Sequence, residues 1–241
     1  MSSKRYKVFN KGIQFLLLDL WNYFNNDGIS YDSLKCDGAF DGSGATFPAE
    51  ELPQSNSFIS VDGIPFLFPS KENGNKNNMI IRKQEMLLDE QKYDKLYILG
   101  ASEGQAGDNL KEEIAIMNGN KIITIAYAGL SNWLLTSVFD EKAAFCCSHF
   151  HIPDYMQKVN RNLFTKNELQ EYDTASDPVE YFSEVFDKAV FDKLPSGDWK
   201  PKIWFQEIVL PYSQAVNKIK FKNENLNFHI FAMTFKINEA V

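Results

Sequence analysis

The sequence has few cysteines, and their positions argue against a disulfide framework. It contains three cysteines in 241 residues, and two of them, Cys146 and Cys147, are adjacent. Neighbouring residues of a strand point to opposite faces of the sheet, so such a pair is a poor basis for a stapled, secreted fold. We therefore expect reduced thiols.

A long hydrophobic run is also missing. The apolar run that begins at Ile13, behind a basic start, is interrupted at Asp19, and no small-residue cleavage site follows it. Nothing elsewhere approaches the roughly 18 to 20 continuous apolar residues that a membrane span needs. These absences predict a cytoplasmic chain that neither enters nor crosses a membrane.

Concentrated positive charge is absent as well, since the formal net charge is -7. A protein that binds nucleic acid needs a basic surface to release counterions from the phosphates, so nucleic acid is not an expected partner. The sequence also has no G-x-S-x-G elbow, P-loop, G-x-G-x-x-G or H-E-x-x-H motif. These missing motifs leave nucleophilic catalysis and phosphate binding without support.

What the chain does contain is ample apolar material, divided into short runs by turn formers. Hydrophobic residues make up 44% of the sequence and aromatic residues 14%. Residues 112–117 and 121–128 alternate as strands do, and the NGN between them is typical of an antiparallel hairpin. Further strands are predicted at 95–101, 202–211 and 226–235. We predict a single mainly β domain over 1–241, an antiparallel jelly-roll-like β-sandwich.

One segment has helical rather than strand periodicity. Residues 177–194 repeat apolar side chains at helical spacing, with Asp177 as N-cap and Pro178 at the first helical position. This helix lies within a polar insertion at about 153–200. Its apolar face must be buried, which allows an oligomeric scaffold in which the helix docks against a partner.

An ordered series of segments resembles a known family. The series is FNNDGIS (24–30), DGAFDGSGATFPAEELP (37–53), VDGIPFLFPS (61–70), KNN (76–78), KYDKLYILGAS (92–102), ITIAYAGLSNW (123–133), AFCCSHFHI (144–152), IWFQEIVLP (203–211) and IFAMTF (230–235). In this order the segments resemble accessory carbohydrate-binding, galactose-binding-like β-sandwich domains that stand beside bacterial glycoside hydrolases. The resemblance implies a jelly roll or related sandwich that recognises a mono- or oligosaccharide. It also allows a structural calcium ion, and as partner either a second copy of the chain or a separate glycoside hydrolase.

The stretch SHFHI carries two of the three histidines. In a regular strand His149 and His151 would project to the same side, and Cys147 would share that face. The three side chains are candidate metal ligands, although a column along one strand is a strained arrangement for a single ion. His229 is a further ligand candidate from another strand. The alternatives are a pair of sugar contacts or a structural pair within the sheet.

Four carboxylates cluster in the segment from Asp37 to Glu51, the others being Asp41 and Glu50. They fit a glycosidase pair or calcium ligands, but the Asp-Gly dipeptides favour turns in which the carboxylates accept backbone hydrogen bonds. Asp41 and Glu50 stay candidates for ligand contacts.

The tryptophans divide by their surroundings. Trp133 and Trp199 stand beside loop-forming residues and are candidate sugar platforms, whereas Trp21 and Trp204 stand in apolar patterns and are expected in the core.

The leading hypothesis is non-catalytic carbohydrate recognition by five residues: His149, His151, Trp133, Asp41 and Glu50. The alternative is a small carbohydrate-active enzyme in which His149 and His151 act with an acidic partner, with or without a metal. The third hypothesis is the oligomeric scaffold subunit.

Overall fold

Strands and tight turns make up most of the chain. The computed structural model describes residues 4–34, 37–104, 110–151, 200–210 and 214–238. The strands in these ranges are β1 Arg5–Asn10, β2 Ile13–Leu18, β3 Ile29–Ser30, β4 Phe47–Pro48, β5 Phe58–Val61, β6 Ile64–Leu67, β7 Met79–Arg82, β8 Glu85–Gln91, β9 Tyr93–Ser102, β10 Lys111–Asn118, β11 Lys121–Gly129, β12 Lys142–Cys146, β13 Lys202–Val209, β14 Val216–Phe221 and β15 Glu224–Ile237. Short 3₁₀ turns occupy Asp32–Leu34 and Ala49–Glu51.

Tight hairpins form where the sequence places glycine. Asp62 and Gly63 join β5 to β6 with φ values of 51° and 80°, which is the left-handed backbone that a two-residue hairpin turn requires. Gly119, at φ 57°, lies in the turn between β10 and β11. The predicted NGN hairpin is therefore confirmed.

The strands form two main sheets. A seven-stranded sheet has the order β1-β2-β15-β9-β13-β12, with β7 also paired to β15, and a four-stranded sheet has the order β11-β10-β14-β8. All pairings in both sheets are antiparallel. Strand β15 lies inside the larger sheet, and residues 228–235 are buried on both of its faces. The sequence of this segment has apolar residues on both faces of a strand, which fits such a position.

One continuous hydrophobic core joins the two sheets. It includes Leu16, Ile98 and Phe235 from the larger sheet, and Ile114 and Ile219 from the smaller one. Apolar faces of two sheets pack in this way in a β-sandwich. The prediction of a mainly β, antiparallel β-sandwich is confirmed.

The core prediction is right for one tryptophan and wrong for another. Trp204 is buried, whereas Trp21 is 52% exposed. Trp21 begins a turn after β2, where the chain leaves the sheet, so its apolar neighbours in the sequence do not place it in the core.

The helix predicted at 177–194, Trp199 and nearly all of the insertion at about 153–200 lie outside the described residues. Within the described ranges, no helix has the length and apolar character needed to cross a membrane.

Candidate functional site

His149 and His151 face the same side of the chain, as predicted, although they do not lie in a regular strand. Their ring centroids are 5.4 Å apart. Strand β12 ends at Cys146, and the chain then turns toward β4, where the backbone N–H of His151 donates to the carbonyl of Thr46 over 3.0 Å. The reciprocal bond, from Thr46 to the carbonyl of His151, measures 3.1 Å. This isolated bridge fixes the position of His151 beside β4.

Asp32 joins the two histidines, and we call these three residues the histidine cluster. One donor atom from each of them lies within 4.8 Å of the other two. Asp32 Oδ1 is 2.6 Å from His151 Nε2 and 3.6 Å from His149 Nε2. The hydrogen bond with His151 is the largest influence on Asp32, and with the further interactions of both rings it outweighs desolvation and lowers the pKa of this carboxyl. The carboxylate is thus the shared partner of both imidazoles.

The other nitrogen of each imidazole is also held. His151 Nδ1 lies 3.0 Å from Ser30 Oγ, and Ser30 Oγ in turn bonds to the hydroxyl of Thr46. His149 Nδ1 lies 2.9 Å from Glu51 Oε1. Both rings are therefore oriented through Nδ1, with Nε2 directed toward Asp32.

Glu51 is in turn positioned by Ser148, whose backbone N–H and hydroxyl donate to its two oxygens over 2.6 Å and 2.5 Å. Desolvation is the largest single influence on this carboxyl and acts upward, but the Ser148 hydrogen bonds and the charge of His149 together lower the pKa of Glu51. A charged Glu51 is suited to hold the His149 ring.

Asp32, His151 and Ser30 are connected in the order of a catalytic triad, but their exposure is reversed. In a triad the hydroxyl reaches the substrate and the carboxylate is buried. Here Ser30 is buried and bonded to Thr46, whereas Asp32 is exposed. The serine is better suited to orient His151 than to attack a substrate.

Cys147 does not join the cluster, so the predicted column of Cys147, His149 and His151 is wrong. The regular strand ends at Cys146, and the alternation on which the column depended ends with it. Cys147 is buried, and burial raises the pKa of its thiol to about 12, as expected for an unreactive cysteine. Cys146, by contrast, is exposed.

His229 also lies apart from the cluster. Its ring is fully buried in β15, and Nδ1 lies 2.9 Å from Asn78 Oδ1. The proposal of His229 as a fourth ligand is therefore wrong, because β15 points this side chain into the core beside Phe40.

The two nominated carboxylates have different surroundings. Asp41 Oδ1 accepts the backbone N–H groups of Ser43 and Ala45 over 2.9 Å and 3.1 Å, as predicted for a turn. Burial raises the pKa of Asp41. Glu50 is exposed and accepts the backbone N–H of Asp32 over 3.0 Å, so it supports the cluster from outside. It is Glu51, the next residue, that contacts a histidine.

Trp133 is not a surface platform. Its side chain is 2% exposed and packs against Phe40, Phe47 and Phe150, with ring centroids 4.9, 5.0 and 5.5 Å away. The flanking Gly and Asn indicated a loop, but this loop folds over the aromatic core. Trp133 therefore belongs to the core, and through its contact with Phe150 it supports the segment that carries His149 and His151.

A groove at another part of the surface has features that the sequence analysis did not find. The groove has a volume of about 740 Å³. We call it the Glu112 groove, and it is lined by Lys111, Glu112, Glu113, Tyr127, Asn223, Glu224, Asn225, Leu226 and Asn227. These residues come from β10, β11, the β14–β15 turn and the start of β15.

Glu112 is the most unusual residue of the groove. It is 1% exposed, and its Oε1 accepts the backbone N–H of Asn223 over 3.1 Å. Its Oε2 is buried and has no hydrogen-bond partner within the described part of the chain. Burial raises the pKa of Glu112. A sequence signal existed, since Glu112 occupies the strand face that also carries Ile114 and Ile116.

The walls of the groove combine apolar and charged side chains. Tyr127 is 64% exposed, and Leu226 is also exposed. Glu113 pairs with Lys222 over 2.6 Å. The groove therefore offers an aromatic surface, several amides and an excess of carboxylates.

Comparison with known proteins identifies the fold family. The sequence matches the AziU2-like beta-sandwich domain over residues 14–172, which is more than half of the chain. The match contains the histidine cluster and the β10 and β11 residues of the groove. No curated protein matches the sequence. The chain belongs to the family of AziU2-like beta-sandwich domains.

Proposed function

We propose that the protein is a non-catalytic carbohydrate-recognition domain and that a neutral mono- or oligosaccharide binds in the Glu112 groove. The observation that carries this proposal is an open groove lined by Glu112, a buried residue whose Oε2 lacks a partner among the described residues. An unmade hydrogen bond at a buried polar atom costs about 1–3 kcal/mol. A ligand hydroxyl that donates to this oxygen, once the Glu112 side chain turns toward the groove, would recover that free energy.

Tyr127 supplies the second feature of a sugar site. Aromatic rings present a large apolar surface with a polar tip, which suits a ligand that has both C–H faces and hydroxyl groups. Most of the Tyr127 side chain is exposed, and Tyr127 lines the same groove as Glu112, on the sheet face of its cross-strand partner Glu113. Asn223 and Asn227 also line the groove, and an amide side chain can both donate to and accept from a hydroxyl.

The charge of the groove narrows the ligand class. Three glutamates and one lysine line it, and Lys222 pairs with one of these glutamates. Glutamates that line the groove disfavour anionic ligands, so uronic acids and sugar phosphates are poor ligands. Neutral sugars and amino sugars fit this charge.

A glycan screen of the full chain, followed by calorimetry on the best neutral ligand, tests the proposal. Tyr127→Ala and Glu112→Gln should each weaken binding at least about 10-fold, because each removes a central contact. The glutamine keeps the shape but places an N–H₂ donor where Oε2 accepts. Phe9→Ala is the matched control, since Phe9 is an exposed aromatic residue on β1, 68% exposed.

No binding of any neutral or amino sugar at millimolar concentration would overturn the proposal. Binding that Tyr127→Ala and Phe9→Ala affect equally would show that the groove is not the site. Hydrolysis of a bound glycan by the wild-type protein would contradict the non-catalytic role.

A further inference from the structure

We propose that the histidine cluster is a binding site for a divalent transition-metal ion, with Zn²⁺ as its best ligand, held by His149 Nε2, His151 Nε2 and a carboxylate oxygen of Asp32. This site is separate from the Glu112 groove and does not depend on the proposed function. Two imidazoles and one carboxylate form a donor set that zinc sites in proteins use, with the remaining position open to solvent or ligand.

The orientation of the two rings is the first argument. Metal-binding histidines almost always give their other ring nitrogen to a carboxylate, carbonyl or hydroxyl, which fixes the tautomer and the ring direction. Both histidines of the cluster do this, His149 through Glu51 and His151 through Ser30. With the Nδ1 atoms occupied, the Nε2 atoms are the ones that face the third donor.

The two outer partners are themselves anchored, which is the second argument. Glu51 receives two hydrogen bonds from Ser148, and Ser30 bonds to Thr46. Thr46 also forms the backbone bridge with His151. Outer partners held in this way keep first-shell nitrogens in place before a metal arrives.

The two distances from Asp32 to the imidazoles require only a small adjustment. Donors of a tetrahedral zinc site lie about 3.3 Å apart, given bonds of about 2.0–2.1 Å. Asp32 Oδ1 is 3.6 Å from His149 Nε2 and 2.6 Å from His151 Nε2. The carboxylate must move about 0.7 Å away from His151, on that tetrahedral spacing. Asp32 is exposed and begins a 3₁₀ turn, so its side chain has room to rotate.

The three ligand residues differ in exposure, and this difference suits a metal site with one open coordination position. His151 is buried, whereas His149 and Asp32 are exposed. The buried ring anchors the ion, and the exposed side leaves one position for water or an oxygen of a bound molecule. Closed structural zinc sites instead use four protein ligands.

Calorimetric titration of the chelator-treated full chain with Zn²⁺ tests the inference. We expect one ion per chain and a rise in the thermal unfolding midpoint, since binding to the folded state stabilises it. His149→Ala and Asp32→Asn remove donors at exposed positions and should weaken binding by at least 100-fold. Glu51→Gln leaves all three donors in place and should weaken it by about 10- to 100-fold, as loss of an outer partner does.

Two control variants separate this site from other modes of zinc binding. Asp62→Asn removes an exposed aspartate of the β5–β6 turn, where it pairs with Lys142. Cys146→Ser removes the exposed thiol that lies close to the cluster in the sequence. Both variants should bind Zn²⁺ with an affinity within about threefold of the wild type, as independent sites do.

The inference is overturned if His149→Ala and Asp32→Asn, with unchanged circular dichroism, bind Zn²⁺ within threefold of the wild type. It is equally overturned if the stoichiometric ion disappears in Cys146→Ser, or if the wild type binds no ion at 100 μM Zn²⁺. A visible spectrum of the Co²⁺-substituted protein gives an independent reading, because tetrahedral nitrogen and oxygen ligation produces bands that hydrated Co²⁺ does not show.

Discussion

The histidine cluster and the Glu112 groove bring polar side chains together in different ways. In the cluster both nitrogens of each imidazole contact a side chain from another segment, and the segments lie far apart in the sequence. In the groove, residues of β10 and β11 in the smaller sheet meet the start of β15 in the larger one, and one buried oxygen of Glu112 lacks a partner among the described residues. The first arrangement suits an ion that fits between donors already in place. The second suits a ligand that brings its own donor.

The pKa of a carboxyl group also shifts in opposite directions in the two regions. In the cluster, the hydrogen bond with His151 lowers the pKa of Asp32. In the groove, burial raises the pKa of Glu112. The same chemical group is thus stabilised as an anion in one region and as a neutral acid in the other, which gives the regions opposite responses to pH.

The largest change in stability is expected when the Trp133 side chain, which packs against the segment that carries the histidines, is removed. Trp133→Ala should lower the free energy of unfolding by about 3–5 kcal/mol, because it opens a cavity among buried aromatic rings. Its ring contacts Phe47 and Phe150, next to Thr46 and between the two histidines. Urea denaturation measures the change, and surviving folded protein should lose zinc affinity more than glycan affinity.

The exposed Trp21 provides the control for this measurement. Trp21→Ala should change the free energy of unfolding by no more than about 0.5 kcal/mol, as surface substitutions usually do. Equal effects of the two substitutions would contradict the distinction between a core and a surface tryptophan.

A smaller effect is expected from Ser30→Ala, which leaves His151 Nδ1 and the Thr46 hydroxyl without this partner. Loss of a buried hydrogen-bond partner should cost about 1–3 kcal/mol of stability. Zinc affinity should fall about 10- to 100-fold, because Ser30 orients a ligand. Denaturation and calorimetry measure the two quantities, and Ser60→Ala, at an exposed position of β5, is the control. An unchanged zinc affinity would remove Ser30 from the site.

The pH response of the groove follows from Glu112. Because the pKa is raised in the folded state, the unfolded state loses its proton first as pH rises from about 4. The wild type should therefore lose stability as pH rises through the folded-state pKa, and Glu112→Gln should not show this loss. The variant should be more stable near pH 7 by on the order of 1 kcal/mol. Denaturation of both proteins at several pH values measures how the variant's stability advantage changes with pH. An advantage that shrinks as pH rises would contradict the prediction.

The smallest change in stability is expected from Asp32→Asn, because Asp32 is exposed. Its lowered pKa contributes stability above the unfolded-state value of about 3.9, and this stability is lost as pH falls through the folded-state pKa. Asp32→Asn should be slightly less stable than the wild type at neutral pH and less sensitive to acid. Unfolding midpoints at pH 7 and pH 3 test this, with Asp62→Asn for comparison. A variant with the acid sensitivity of the wild type would show that the contact with His151 does not favour the carboxylate.

Features that depend on neighbours in the chain could be predicted from the sequence. The hairpin turns follow from glycine, the buried strand β15 from its two apolar faces, and the Asp41 turn from a side chain that bonds backbone N–H groups two and four residues ahead. The common direction of His149 and His151 is also local. In these cases the residues lie within a few positions of one another in the sequence, so the residue pattern contains most of the geometry.

Features that depend on distant segments were decided by the tertiary structure. Asp32 and His151 are 119 residues apart, and Glu112 and Asn223 are 111 residues apart. Strand order brings Asp32 to the histidines, directs His229 and Trp133 into the core, and selects Glu51 rather than Glu50 as the histidine partner. The sequence alone determined strands, turns and a β-sandwich, because alternation and turn chemistry act over a few residues. Only the tertiary structure decided which polar groups meet, because that depends on contacts between segments far apart in the chain.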